Sequence, residues 1–234
     1  MVDIRQNNRK KVIIVGASGH AAEINDYIDC YNEKQELESD KISINGFIDD
    51  NPKNYSRYQF SGAYLGDIKS HQVDKRSRYI MAIANIKFRK TIVEYLKRNG
   101  AKFITLIHPT AYMSKSSIIG EGVLIGPGVN IGPNVKVGDF NIINSRSSLG
   151  HDTIIGDYNF ITPNVCFSGF TKVGNENMFG INSATIPNIS IGSGNTIAAG
   201  MIIDKNVKDG ATIFHRFKEK VIVMKQAIKK AIKS

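Results

Sequence analysis

The middle of the chain carries a hydrophobic repeat with a fixed period of six residues. From Met113 to Lys208 the sequence divides into sixteen consecutive six-residue units without a break in phase. An apolar residue stands first in fifteen of these units, and glycine stands second in nine. The exception at the first position is Thr185. This pattern predicts short strands and tight corners stacked into a parallel β-helix, with the first residue of each unit pointing inward.

A different pattern occupies the first hundred residues. The apolar run Lys11–Val15 predicts a buried strand, and a glycine-rich turn leads from it into a helical stretch, Ala21–Asp29. Further strands are predicted at Ile44–Ile48, Tyr79–Ile83 and Phe103–Ile107, and a helix at Arg89–Arg98 that ends at Asn99-Gly100. Strands that alternate with helices predict a small parallel α/β sheet. We therefore expect an α/β domain over residues 1–108, a β-helix over 109–212 and a short basic helical tail over 213–234.

The charge is concentrated at the C-terminus. The 234-residue chain has a formal net charge of +10, and its last thirty residues hold nine Lys or Arg against Asp209 and Glu219. A nucleic-acid-binding protein is expected to spread basic residues over a folded face and to interleave aromatic residues among them. The distribution therefore argues against nucleic acid as the main partner and leaves room for small ligands that carry several phosphates.

Cysteine content and hydropathy exclude other classes of protein. The two cysteines, Cys30 and Cys166, lie far apart, which excludes a disulfide scaffold and a Cys-rich zinc site and fits a reducing compartment. No apolar run is long enough to cross a bilayer, and the polar start, Met1 to Lys11, is not a signal peptide. We expect a cytoplasmic protein without membrane insertion.

The turn after the first strand is a candidate anion site. Free backbone N–H groups at the start of a helix favour phosphate. The Gly16-x-x-Gly19 spacing lacks the third glycine of the dinucleotide fingerprint, so the residues alone leave a phosphate cradle and a plain tight turn equally open.

Four segments together resemble one family. They are the GASGHA turn, the strand end Gly46-Phe47-Ile48-Asp49-Asp50, the segment Ala82-Ile83-Ala84-Asn85 before a helix, and the hexapeptide repeat. This combination resembles the NeuD/PglD-type sugar acetyltransferase family, over roughly Lys11 to Lys208. The resemblance implies a Rossmann-like domain for a nucleotide-sugar, a left-handed β-helix that binds acetyl-CoA, no metal, and a homotrimer. The implied reaction is N-acetylation of the free amine of a UDP- or dTDP-linked amino-deoxy sugar.

The resemblance also assigns roles to individual residues. His151 matches the general base, with Asp152 orienting it and Asn144 near the acceptor group. Gly169 matches the glycine whose N–H meets the thioester oxygen, and Gly180 and Asn182 match a segment beside the cofactor. The residues matching the substrate-binding turn and strand end are Gly16, Ser18, Gly19, His20, Asp49 and Asp50. Arg216 is a candidate for the cofactor phosphates, since guanidinium suits such groups. Phe160 stands where many relatives carry a second histidine.

The general-base role also follows from chemistry. His151 is the only histidine in the sixteen units, and an imidazole can accept the proton that an amine sheds when it attacks a thioester. Three alternatives stay open: an O-acetyltransferase acting on sialic acid or a related sugar, a non-catalytic nucleotide-binding protein, and a metal-dependent hydratase of the γ-carbonic anhydrase type. The hydratase would need three histidine ligands.

Overall fold

The computed structural model describes residues 9–215. Its N-terminal part is a parallel four-stranded sheet with strands β1 (Lys10–Val15), β2 (Ile42–Ile48), β3 (Ala63–Tyr64) and β4 (Arg78–Met81), in the order β3-β2-β1-β4. Three α-helices accompany it, α1 (Gly19–Glu33), α2 (Pro52–Tyr55) and α3 (Ile86–Arg98), together with a 3-10 turn at Glu38–Asp40. Helix α1 connects β1 to β2, as expected for parallel strands. The α/β prediction is confirmed.

One predicted strand is wrong as a single element. Phe103 forms an isolated bridge with Tyr79 of β4, at the edge of the α/β sheet, whereas Leu106–Ile107 is the first strand of the β-helix. The segment was continuous in hydropathy because both of its ends are buried, but they are buried in different cores.

The remainder is a left-handed parallel β-helix, as predicted, built from two-residue strands. We number its three faces in the order in which the chain first enters them. The strands of face 1 are Leu106–Ile107, Leu124–Ile125, Ile142–Ile143, Phe160–Ile161, Met178–Phe179, Thr196–Ile197 and Thr212–Ile213. Those of face 2 are Tyr112–Met113, Asn130–Ile131, Ser148–Leu149, Cys166–Phe167, Ala184–Thr185 and Ile202–Ile203. Those of face 3 are Ile118–Ile119, Lys136–Val137, Ile154–Ile155, Lys172–Val173 and Ser190–Ile191.

The second residue of each strand points into the prism and corresponds to the first position of the hexapeptide unit. These residues stack with an eighteen-residue offset, as in Leu149 on Ile131 and Phe167 on Leu149. The final coil departs from the repeat, because Val207 bridges Ile191 and Thr212 pairs with Thr196, both sixteen residues apart. The unbroken phase predicted through Lys208 is therefore wrong for its last unit.

A buried asparagine ladder supports the corner between faces 3 and 1. The side-chain Oδ1 of each asparagine accepts the backbone N–H one coil above: Asn141 from Asn159, Asn159 from Asn177, and Asn177 from Asn195, at 2.8–2.9 Å. The ladder satisfies buried N–H groups that the strands leave unpaired.

The α/β domain packs against face 1 and its adjoining corner. Helix α1 and the sheet share a core with Leu124 and Ile142 on the lower part of face 1. The other side of the sheet and α3 pack against Phe140 and Tyr158 at the corner between faces 3 and 1. Among the described residues, no helix has the length and apolar character needed to cross a membrane.

Candidate active site

His151 and Asp152 form a hydrogen-bonded pair at the corner between faces 2 and 3. His151 Nδ1 lies 2.9 Å from Asp152 Oδ2, and Asn134, one coil below, donates to Asp152 Oδ1 at 3.1 Å. The bond from His151, and then the bond from Asn134, hold the pKa of the Asp152 carboxyl below its usual value. A carboxylate on Nδ1 leaves Nε2 as the nitrogen that can take a proton.

Gly169 lies one coil above and is covered by the His151 ring. A Cβ built on Gly169 would lie 2.7 Å from both Cε1 and Nε2 of His151, so only glycine lets the imidazole occupy this position. Phe170 packs edge-on against the same ring, with centroids 5.0 Å apart. Within residues 9–215 the Gly169 N–H has no hydrogen-bond acceptor. The Gly169 N–H and His151 Nε2, both without a partner among the described residues, therefore belong to the same corner.

The one polar residue among the inward positions supports the turn that contains Gly169. The buried Thr185 hydroxyl accepts the Ser168 N–H at 3.1 Å and lies 2.9 Å from the Thr171 hydroxyl, which donates to the Ser168 carbonyl at 2.6 Å. These bonds fix the N–H and the carbonyl of Ser168, directly before Gly169. The break in the apolar pattern at Thr185 thus has a local structural reason.

A second candidate site lies at the carboxyl ends of β1 and β4. The strand order reverses there, and ligands of open α/β sheets bind in the crevice at such a switch point. A cleft of about 410 Å³ is lined by Gly16, Ser18, Asp49 and Asp50, together with Asn54, Ile68, Ile83, Ala84, Asn85, Phe88 and Ile92. Gly16 has φ of +104°, which a residue with a Cβ rarely adopts.

Helix α1 begins at this cleft without a cap. Ser18 is in the N-cap position but its side chain makes no capping hydrogen bond, and the first turn carries no acidic residue. The first N–H groups of a helix have no partners within the helix. The cleft therefore presents backbone donors and the positive end of the helix dipole to an anion.

The two predicted aspartates accept hydrogen bonds from backbone N–H groups. Asp49 accepts the Ala17 N–H at 2.8 Å through one oxygen and the Asn51 N–H at 2.8 Å through the other. Asp50 accepts the Ile68 N–H at 2.9 Å. Asp49 therefore holds the glycine turn against β2, with both of its oxygens engaged.

Gly19 and His20 lie beside this cleft and are not among its lining residues. Gly19 faces the Tyr58 hydroxyl, 3.1 Å from the position of a built Cβ. His20 Nδ1 lies 3.0 Å from Glu23 Oε2, while its Nε2 is buried without a partner among the described residues.

Three predicted residues share a different corner from His151. Asn144, Gly180 and Asn182 lie between faces 1 and 2, at the opposite end of face 2 from His151, Asp152 and Gly169. Asn182 accepts a hydrogen bond from Asn164 at 3.0 Å, and Gly180 packs against the Ala198–Ala199 backbone. The two groups of residues do not meet within one chain. Arg216 lies outside the described residues.

The sequence reasoning assigned no role to Asn85 or Phe88 and did not predict a second cleft. Asn85 caps α3 by accepting the Phe88 N–H at 3.1 Å, and both residues line the switch-point cleft. Ala84 and Asn85 also line a neighbouring cleft of about 370 Å³ between α3 and the upper part of face 1, with Ile86, Lys87, Phe160, Met178 and Thr196. An asparagine directly before a helix was the available signal.

Fold and site together define the class of protein: a doubly wound α/β domain with a candidate anion site at one edge, followed by a hexapeptide β-helix with a His-Asp pair. Residues 11–96 match the PglD N-terminal domain family. The curated UDP-N-acetylbacillosamine N-acetyltransferase of Bacillus subtilis (strain 168) is 30% identical over 115 residues, which is 48% of this chain and 50% of that protein. That match therefore spans about half the length of the curated relative.

Solved structures match over nearly the whole described chain. The acetyltransferase domain of PglB from Neisseria gonorrhoeae FA1090 is 25% identical, with a TM-score of 0.75, covering 87% of this chain and 96% of that one. The same domain in complex with acetyl coenzyme A gives a TM-score of 0.74, at 25% identity and covering 87% and 95%. A variant of perosamine N-acetyltransferase from Caulobacter crescentus, in complex with CoA and GDP-perosamine, shares the fold (TM-score 0.72, 23% identity, 86% and 92% covered). The predicted resemblance to the NeuD/PglD-type sugar acetyltransferases is confirmed by these matches.

Proposed function

We propose that this protein is an acetyl-CoA-dependent N-acetyltransferase that acts on the free amine of a nucleotide-linked amino-deoxy sugar. The observation that carries the proposal is the His151–Asp152 pair, whose imidazole lies against Gly169, a residue with an N–H that is unpaired among the described residues. The named relatives support the class of reaction, and the acetyl coenzyme A complex of the PglB domain supports the acetyl donor.

The geometry suits direct transfer. The neutral amine attacks the thioester carbonyl, a C–N bond forms, and the carbonyl oxygen becomes an oxyanion that the Gly169 N–H stabilises. His151 Nε2 accepts the proton that the amine sheds, while Asp152 orients the ring and stabilises the imidazolium. Collapse of the intermediate breaks the C–S bond, and the departing thiolate takes the proton. All roles belong to side chains and backbone of the protein.

The switch-point cleft suits the nucleotide end of the substrate. We assign the diphosphate to the uncapped start of α1 at Ser18 and the nucleoside to the cleft between Asp50, Ile68 and Phe88. Asp49 is assigned a positioning role, because both of its oxygens hold backbone or side-chain donors.

We further propose a homotrimer whose active sites lie between subunits. The α/β domain covers face 1, and the nucleotide cleft is therefore on the opposite side of the prism from His151. The outward residues of face 2 are Tyr112, Asn130, Ser148, Cys166, Ala184 and Ile202, without a lysine, arginine or carboxylate, whereas face 3 presents Lys136 and Lys172. In a cyclic trimer around face 2, the His151 corner of one protomer adjoins the Asn144 corner of the next. We expect such an enzyme in the cytoplasm, where acetyl-CoA and nucleotide-sugars are available.

The first experiment measures thiol release from acetyl-CoA against a panel of UDP-, dTDP- and GDP-linked 4-amino sugars and free sialic acid. We expect turnover with one amino-sugar nucleotide and a loss of about 10²-fold or more in His151→Ala. The matched control is His215→Ala, which removes an exposed imidazole outside this corner. Turnover only with sialic acid would move the protein to O-acetylation. Turnover retained in His151→Ala would remove the base assignment.

The second experiment tests whether subunits share the site. His151→Ala is co-expressed with Ser18→Asp, which is expected to repel the diphosphate. Random mixing into shared-site trimers restores about a quarter of wild-type activity, because only sites that join an intact histidine to an intact neighbouring cleft function. Activity no higher than that of either parent would contradict a site between subunits.

A further inference from the structure

Arg89 is a buried cation that has no carboxylate partner among residues 9–215. Among residues 9–215 it is the only Lys, Arg, Asp or Glu that is buried, at 0% exposure. Its Nη2 donates to the backbone carbonyls of Tyr158, at 2.5 Å, and Asn159, at 3.1 Å. Its Nε and Nη1 have no partner among the described residues. Desolvation lowers the pKa of this guanidinium to about 10, which still leaves it charged at neutral pH.

A contribution to folding stability does not explain why position 89 holds an arginine. Burying a charge is costly unless it is paired, and apolar residues of similar volume replace buried ionic groups with little loss of stability. Arg89 shares the buried stripe of α3 with Val93 and Leu96, where an apolar residue fits the pattern. A buried ionic group at such a position is best attested as a device that fixes one arrangement of neighbouring elements.

The contacts of Arg89 join the two walls of the cleft between the domains. On one wall, Arg89 lies in the first turn of α3, where its backbone N–H makes the ordinary helical bond to the Asn85 carbonyl at 2.8 Å, and Asn85 and Lys87 of this turn line the cleft. On the other wall, the accepting carbonyls belong to Tyr158 and Asn159, directly before Phe160, which lines the same cleft. Besides the apolar packing of α3 on Phe140 and Tyr158, the other polar contacts described between α3 and the β-helix are two ion pairs near the surface, Lys90–Glu176 and Lys97–Glu121, which contribute little rigidity.

We propose that Arg89 is a positioning residue that holds the first turn of α3 at a fixed distance from face 1 and thereby sets the width of this cleft. The cleft continues from the nucleotide cleft through Ala84 and Asn85. The sugar end of the acceptor therefore lies in it, and Arg89 governs how that sugar is aimed. This role rests on the proposed function, but the position of α3 can be measured without it.

The test compares Arg89→Met and Arg89→Lys with Lys97→Met, which breaks an exposed ion pair at the far end of the same helix. In Arg89→Met we expect faster hydrogen exchange of the amides in the first turn of α3, with a melting temperature equal to or above that of the wild type. The KM for the accepted amino-sugar nucleotide is expected to rise about tenfold, because the sugar is then misaligned in the cleft. The KM for acetyl-CoA is expected to be unchanged. Arg89→Lys is expected to show smaller changes in exchange and in KM than Arg89→Met does. Lys97→Met is expected to show neither change.

The outcomes separate the two proposals. Wild-type exchange and wild-type KM in folded Arg89→Met would overturn the positioning role, as would a lower yield of folded protein with normal KM. If Arg89→Met does not fold, Arg89→Lys carries the same two measurements, and normal values there overturn it as well. If the wild type turns over no member of the acceptor panel, the proposed function fails, and hydrogen exchange alone still decides whether Arg89 positions α3.

Discussion

At the scale of single residues, the candidate site depends on Gly169, which has no Cβ. Its missing Cβ leaves room for the His151 ring, and its N–H, unpaired among the described residues, is the oxyanion donor that we propose. The two features occur at one residue, so that base and donor keep a fixed relation without any long side chain between them. A backbone N–H has no side-chain rotamers to order, so the Gly169 donor loses no side-chain entropy when it binds an oxyanion.

Gly169→Ala tests this relation. A Cβ at 2.7 Å from Cε1 and Nε2 of His151 forces the imidazole aside, so we expect kcat to fall by about 10²-fold while the melting temperature changes little. In a His151→Ala background the ring is gone, and adding Gly169→Ala should then cost almost nothing. Additive losses in this double-mutant cycle would mean that the two residues act independently.

Two other histidines predict how stability depends on pH. Desolvation lowers the pKa of both His71 and His108 in the folded protein. The unfolded chain therefore takes up these protons first, near its ordinary pKa of about 6.5. The stability that their neutral forms contribute is complete above that pH and is lost as the pH falls toward the lower folded values.

We therefore expect the melting temperature to fall between pH 7.5 and pH 5.5, values on either side of the ordinary histidine pKa of about 6.5. His108 Nδ1 accepts the Thr110 N–H at 3.2 Å and the ring packs edge-on against Tyr27, and neither the acceptor nor the apolar packing suits an imidazolium. His108→Gln should flatten this pH dependence in thermal unfolding, and the exposed His215→Gln should leave it unchanged. An equal slope in all three proteins would exclude His108 as a source.

At the scale of elements, the start of α1 is the feature with the clearest consequence. A helix N-terminus with no side-chain cap and no acid in its first turn is less stable than a capped one. We read this as the cost of keeping its donors available for phosphate.

Ser18→Asp separates stability from binding. An aspartate caps a helix well and complements its dipole, so the melting temperature should rise or stay level. The same carboxylate repels the diphosphate, and we expect the affinity for UDP, dTDP or GDP, whichever the protein binds, to fall about tenfold. Ser18→Asn caps without charge and is the control. Unchanged affinity by calorimetry in Ser18→Asp would remove the phosphates from this helix.

The elements also explain what the sequence could predict. The hexapeptide period was readable because every inward residue repeats the same environment, with Leu149 between Ile131 and Phe167 as an example. The shortened last coil left one signal in the sequence, because a strict period would place the charged Asp209 inward, and the structure places Val207 there instead. Arg89 left a signal that was overlooked: a cation at helical spacing with Val93 and Leu96.

Sequence reasoning predicted individual residues of the candidate site, but not which corner of the prism each of them occupies. Asn144 and His151 are one unit apart in sequence, which suggests neighbours, yet each unit turns a corner of the prism and separates them by a whole face. The role of Asp49 was also beyond sequence reasoning, because its partner Ala17 is thirty-two positions away.

At the scale of the whole molecule, the proposed function depends on which face meets a second copy. Face 1 is covered by the α/β domain in its lower half, face 3 carries Lys136 and Lys172, and face 2 presents small or neutral side chains. Association through face 2 buries no unpaired charge, and it joins the two corners that hold the predicted residues. Association through face 3 would desolvate Lys136 and Lys172, and it would leave the Asn144 corner away from any His151, because that corner lies opposite face 3.

Ala184→Glu therefore tests the assembly and the site at once. Ala184 is on face 2 and is half-buried in the single chain, so that a carboxylate there would be repeated three times around the axis. We expect light scattering to give monomers and thiol release to fall to background, while circular dichroism and the nucleotide affinity of the cleft stay at wild-type values. The matched control is Ser190→Glu, an exposed position in a strand of face 3, which should remain trimeric and active. If the two variants exchange these behaviours, the trimer forms around face 3, and the residues at the two ends of face 2 cannot belong to one active site.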